Sequence, residues 1–156
     1  MNPKIKNIIM LSAVMTVCLS LGQSTFAQSS CRQAKGHWID VLNPVNTTGT
    51  ITNGGFLNGT TETEYNPAFV FTPDPNVVSY IAETTITTSL GQLNTSNVYI
   101  YNFVTGLWTA MGNINPATST GRFAGTTGVL YFNGKTTDNG STYPSEIAGE
   151  ICFGNQ

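Results

Sequence analysis

The stretch Gln92-Leu93-Asn94-Thr95-Ser96-Asn97-Val98-Tyr99-Ile100-Tyr101-Asn102-Phe103-Val104-Thr105-Gly106-Leu107-Trp108-Thr109-Ala110-Met111-Gly112-Asn113-Ile114 decides the fold class. Two runs rich in β-branched and aromatic residues, 92–104 and 107–114, flank a Thr105-Gly106 turn. That is the pattern of a β-hairpin. No 11-residue window after residue 27 shows helical periodicity free of Gly, Pro or clustered β-branched residues. Further strands are expected near 36–42, 49–57, 60–65, 68–72, 77–89, 126–134 and 145–153. Turn chemistry separates them at Asn43-Pro44, Asn58-Gly59, Pro73-Asp74-Pro75-Asn76, Ser89-Leu90-Gly91, Asn115-Pro116 and Asp138-Asn139-Gly140. The spacing predicts an all-β fold, an antiparallel barrel or sandwich of roughly eight strands.

Strand parity adds a second expectation. Tyr99, Tyr101 and Phe103 share one face of their strand, and Val98, Ile100 and Val104 the other. Val129 and Tyr131 oppose Leu130 and Phe132. Ile147, Ile151 and Phe153 oppose Glu146, Glu150 and Cys152. Central strands apolar on both faces imply a filled or lined interior and a covered exterior. A second subunit or an N-terminal segment tied down by Cys31 could supply the cover.

Composition narrows the function classes. Of 156 residues, 24 are Thr, 16 Asn and 16 Gly, while Lys+Arg number 6 and Asp+Glu 8. Six basic residues cannot form the stripe that neutralises nucleic-acid phosphates. With 40% hydrophobic residues and a net charge of −2, charge-driven disorder is excluded. The reading is a barrel kept soluble by surface hydroxyls and amides.

Residues 1–27 read as a secretory signal peptide: Lys4 and Lys6, then the apolar run Ile8–Leu21, then a Thr25-Phe26-Ala27 cleavage site. The run is shorter than a membrane span requires, so no stable span is expected after cleavage. One domain over 28–156 follows, secreted or periplasmic. Cys18 leaves with the signal, and Cys31 and Cys152 remain. In an oxidising compartment an even pair reads as a disulfide, worth about 4–5 kcal/mol by loop-closure entropy. Neither a metal nor a cofactor is implied, since two thiols and the lone His37 have no zinc spacing.

The segment Gly121-Arg122-Phe123-Ala124-Gly125-Thr126-Thr127-Gly128-Val129-Leu130 carries the pattern G-x-F-x-G-x-x-G followed by a strand. It resembles the motif of the dirigent and allene oxide cyclase barrel superfamily, in particular its bacterial secreted members. The resemblance implies an eight-stranded barrel and cyclisation or stereocontrol of a reactive intermediate. The paired glycines that precede this motif in the family are replaced here by Ala117-Thr118-Ser119-Thr120. Taken alone, the glycines permit positive φ, Phe123 plugs one barrel end from a tight turn, and Gly128 marks a bulge or bend.

Few side chains are available for chemistry. Glu83 lies mid-strand with Ile81, Thr85 and Thr87 on its side. In the lumen it would be a desolvated carboxylate and a catalytic candidate; on the exterior it is an ordinary surface residue. Glu62 and Glu64 share a face and read as charges on a solvated edge strand. His37 has no recognisable triad partner. Arg122 is read as a brace for its own loop. Tyr99, Tyr101, Phe103 and Tyr131 are the candidate aromatic lining for a ligand. Three readings follow: a binder of a small apolar or aromatic molecule, a cyclase-like isomerase, or a structural protein with a filled barrel.

Overall fold

A computed structural model describes residues 30–66 and 68–154. The signal peptide expected over 1–27, and the first residues of the domain, lie outside the described residues. Nine strands are present: β1 (Ser30–Leu42), β2 (Asn46–Thr52), β3 (Gly59–Tyr65), β4 (Val70–Phe71), β5 (Val77–Thr88), β6 (Gly91–Asn102), β7 (Leu107–Ile114), β8 (Thr127–Lys135) and β9 (Thr142–Phe153). Their order is β3-β2-β1-β9-β8-β7-β6-β5-β4, and β3 also pairs with β5. That last pairing, from Gly59 opposite Thr88 to Tyr65 opposite Ala82, closes an eight-stranded antiparallel barrel. β4 is an extra strand paired with the first residues of β5, Val70 opposite Ser79 and Phe71 opposite Val78. Closure removes the free edges that an open sheet would leave.

β3 is therefore an internal strand, hydrogen-bonded to β2 and β5, rather than the expected edge. Its carboxylates Glu62 and Glu64 do face solvent. Glu64 stands directly opposite Glu83.

Register decides which face enters the lumen, because directly paired residues share a face. Tyr99 pairs with Ala110 and Ala110 with Phe132, so these three point inward. Val98 pairs with Met111 and Met111 with Tyr131, so these three point outward. The two-faced apolar pattern is real, yet among the described residues only the inner face is covered. Tyr131 is 48% exposed and Ile100 48%.

The middle of the lumen is filled. Trp38 meets Phe132 at 4.9 Å and Trp108 at 6.0 Å between ring centroids. Trp108 continues to Tyr99 at 5.8 Å, and Tyr99 stacks on Tyr80 at 4.9 Å. Polar residues also enter the lumen. Thr47, Thr61, Thr63, Thr84, Thr95 and Asn97 are buried, so part of the threonine content is interior rather than surface.

One end is closed. Short 3-10 turns at Gly55–Leu57 and Gly121–Phe123 insert Leu57 and Phe123, both fully buried. Phe123 stacks on Phe153 at 5.9 Å. Gly121, Gly125 and Gly128 all have positive φ. At Gly128 a Cβ would sit 2.1 Å from the Glu150 carbonyl oxygen, so only glycine fits where β8 crosses β9 there. The Arg122 backbone N–H donates to the Leu90 carbonyl, in the β5–β6 turn, at 2.8 Å. The Cys31–Cys152 disulfide ties β1 to β9 at this same end, at directly opposed positions.

Candidate functional site: an aromatic cup above a buried carboxylate

The other end is open. A cavity of about 200 Å³ lies in its mouth, lined by Leu42, Tyr65, Phe69, Val78, Tyr80, Tyr101, Phe103 and Tyr143. Each strand end contributes through ordinary alternation: Tyr65 ends β3, Val78 and Tyr80 begin β5, and Tyr101 is the last inward residue of β6. Phe69 and Phe103 come from the turns. The rings meet mainly edge to face, which makes walls rather than a stacked plug. Tyr65–Tyr80 is 5.6 Å, Phe69–Tyr80 5.4 Å and Tyr101–Phe103 5.1 Å between centroids.

Four aromatic residues were expected to line the site, and the structure distributes them. Tyr101 and Phe103 line the cavity. Tyr99 lies deeper, in the filled middle, against Tyr80 and Trp108. Tyr131 is on the outer wall beside Met111 and belongs to no lining. Parity within a strand cannot align two strands; only the Met111–Tyr131 register does so.

Glu83 also faces water. Its chain neighbours Ala82 and Thr84 are the buried ones, and it is exposed between them. The lumen does hold a carboxylate, Asp40, which is 3% exposed. All its polar contacts are donations to it. Oδ1 accepts from Trp38 Nε1 at 2.6 Å and from Thr61 Oγ1 at 2.5 Å. Oδ2 accepts from Thr47 Oγ1 at 2.6 Å and, more weakly, from Thr63 Oγ1 at 3.4 Å. Gly49, opposite Asp40 on β2, leaves the room: a Cβ there would lie 2.2 Å from Oδ1.

Burial pushes the Asp40 carboxyl above its usual value, and the hydroxyls of Thr47 and Thr61, the Trp38 indole and Thr63 oppose that shift. Burial likewise raises the phenols of Tyr65, Tyr80 and Tyr99, so all three remain neutral donors at physiological pH.

The cup and the carboxylate are joined. The Tyr65 hydroxyl, in the cavity wall, donates to Thr47 Oγ1 at 3.2 Å, and Thr47 donates to Asp40. From Asp40 the polar net runs on through Thr63 to Thr84 at 2.9 Å and to Asn97 Nδ2 at 2.8 Å. Tyr99 OH, Trp108 Nε1 and Ser145 Oγ are buried and make no hydrogen bond among the described residues. The arrangement can hold a small ring by its faces and edges. It can also pass a proton between Tyr65 and Asp40.

No nucleophilic triad forms among the described residues. His37 Nδ1 pairs with Glu146 Oε1 at 2.7 Å, both groups being exposed on the outer wall. Ser145 lies next in sequence but points into the barrel. The one cluster of metal-type ligands among the described residues, Cys31, Glu150 and Cys152, contains both disulfide sulfurs. No helix among the described residues is long and apolar enough to cross a membrane. Compared with family models, curated proteins and solved structures, the chain finds no match.

Proposed function

We propose that this chain is an exported binding protein that takes a small apolar or aromatic molecule into the mouth of its barrel. The aromatic cup at the open end carries the reading. A cavity of roughly 150 Å³ is enough for benzene, so about 200 Å³ suits one ring with short substituents. Its walls are mostly carbon, and the Tyr65, Tyr101 and Tyr143 hydroxyls offer a few polar contacts. Export is supported by the signal-like leader in the sequence and by a disulfide, which persists in an oxidising compartment.

Native mass spectrometry of protein purified from its source should reveal a co-purifying mass that denaturation releases. A hydrophobic dye should enter the emptied protein. Leu42→Trp, at a half-exposed cavity wall, should block uptake without changing thermal stability. Unliganded protein that takes up no dye would sink the binding role.

A second reading, an isomerase of the dirigent or cyclase kind, rests on the Tyr65–Thr47–Asp40 chain of hydrogen bonds and on the glycine-motif resemblance. Here the cup positions the substrate, and Asp40 takes or returns a proton through Thr47 and Tyr65. Asp40→Asn would then abolish turnover of the bound molecule while leaving its affinity in place. Unchanged turnover in that variant would exclude the relay.

A further inference from the structure

The hydrogen-bond chain beneath the cup has a direction. An ionised carboxylate accepts and does not donate. Thr47 has one hydroxyl proton and gives it to Asp40 Oδ2 at 2.6 Å. Thr47 Oγ1 therefore meets Tyr65 as an acceptor, and Tyr65 gives its own proton to it at 3.2 Å. The Tyr65 oxygen is left with lone pairs only. Tyr65 lines the cavity, so a ligand group that meets this oxygen must donate to it.

The charges select among donors. Among the described residues Asp40 has no cationic partner: its donors are an indole and three threonine hydroxyls. A carboxylate buried without a cation is costly. Burial raises the Tyr65 phenol, the Thr47 hydrogen bond opposes this, and Tyr143 and Asp40 add to the rise. The field of Asp40 thus reaches the cavity wall. No Lys, Arg or His lines the cavity. Lys135, at the open end, stands opposite Leu107, and the next pair along, Gly134 and Trp108, is the inward one, so Lys135 faces outward. Glu64, Asp74 and Asp138 lie at that same end. Arg32 and Arg122 lie at the closed end, and Lys35 stands opposite Ala148, which stands opposite the outward Tyr131. Six of the eight residues lining the cavity are aromatic, and aromatic faces attract cations. An alcohol would also donate to Tyr65, but it would leave Asp40 without a counter-charge.

We propose that the ligand of the cup is a small organic ammonium ion, with its nitrogen donating to the Tyr65 oxygen and its apolar body against the rings. This rests on the binding role of the cup and deepens it. It parts from the isomerase reading, in which Asp40→Asn leaves affinity in place.

Calorimetric titration of the exported protein at neutral pH with benzylamine, benzyl alcohol and toluene tests it. Benzylamine is protonated there and should bind at least about tenfold more tightly than benzyl alcohol, because charge-assisted hydrogen bonds and cation–ring contacts exceed their neutral counterparts by that margin. Tyr65→Phe removes the accepting oxygen and keeps the ring. Asp40→Asn removes the charge at nearly constant shape. Each should cut benzylamine affinity at least about tenfold and leave toluene affinity within about twofold. Glu83→Gln, on the outer wall, should change neither, which separates Asp40 from the general negative charge of the protein. Thermal melts check folding, and Tyr65→Phe decides the matter if Asp40→Asn fails to fold. Equal affinity for amine and alcohol overturns the proposal, while uptake of toluene or of a hydrophobic dye keeps the cup as a binding site. A preference for the amine that survives both variants also overturns it. If none of the three molecules binds and no dye enters, the binding role falls and the proposal with it.

Discussion

The two ends of the barrel are built from the same strands and the same alternation, yet they do opposite things with their turns. At the closed end, the turns at Gly55–Leu57 and Gly121–Phe123 aim one apolar side chain inward each. Backbone bonds from Thr120 N to Gln92 O and from Arg122 N to Leu90 O, each 2.8 Å, hold the second turn against the β5–β6 turn. At the open end, Val45 and Val104 of the turns stay exposed, Phe69 and Phe103 wall the cavity, and the strand ends leave a cup. The difference teaches where each property resides. Packing is concentrated where turns fill the lumen, and the proposed binding site lies where they leave a cavity. Glycines with positive φ at 121, 125 and 128 allow the inward turn.

The largest effect is expected at the closed end. Phe123→Ala should lower unfolding stability by about 3–5 kcal/mol, because it empties a fully enclosed site. Urea denaturation measures it. A loss near 1 kcal/mol would mean that the end can collapse, and that the contrast between the ends is shallower than the burial implies. Next comes the disulfide at the same end. Replacing both Cys31 and Cys152 by Ser should cost about 2–5 kcal/mol, with the greater part of the barrel still able to pair. A Tm unchanged from the parent would show that the β1–β9 ladder alone closes the chain.

The closed end was more legible in the sequence than the open end, for a physical reason. Its determinants are local: a spaced glycine motif around one Phe, and a pair of cysteines. Strand positions were legible too, because alternation and turn residues are local signals; 107–114 matches β7 in full. The cup depends on register, which is not local. Tyr99 and Tyr131 share parity in their own strands, but the Met111–Tyr131 pairing sends Tyr131 outside. Asp40 was missed for a related reason. In Trp38-Ile39-Asp40-Val41 the apolar Ile39 and Val41 suggest the inner face, yet they point out and Asp40 points in. Trp38, on the Asp40 face, was the available clue. The inversion is tolerable because β2 and β3 bring Thr47, Thr61 and Thr63 to the carboxylate. In sequence, those threonines read as surface.

Asp40 makes the open half pH-sensitive in a way the apolar closed end is not. Its carboxyl is raised in the folded state by burial, relative to about 3.9 in an unfolded chain. Below the unfolded value both states are protonated, and the contribution to stability is complete. As pH rises, the unfolded chain releases its proton first, so stability falls through the interval up to the folded pKa and is then level. Subtracting the urea midpoints of Asp40→Asn from those of the parent between pH 3 and 8 should isolate this fall. A flat difference curve would mean that the four donors balance the burial, and one that climbs with pH that they outweigh it.

The smallest stability change should be at the rim, and it separates the ends most cleanly. Phe103 is 56% exposed and follows the end of β6, so Phe103→Ala should shift stability by about 0.5 kcal/mol or less. It also removes one wall of the cup and the edge-to-face partner of Tyr101. Dye uptake should therefore weaken about tenfold while the melt barely moves, since a ring contact and its buried area together amount to more than 1.4 kcal/mol. Phe123→Ala gives the mirror image, a collapsed melt with the cup's walls untouched. If Phe103→Ala instead lowered the Tm as Phe123→Ala does, the open end would be part of the folding core, and the cup would be packing rather than a site.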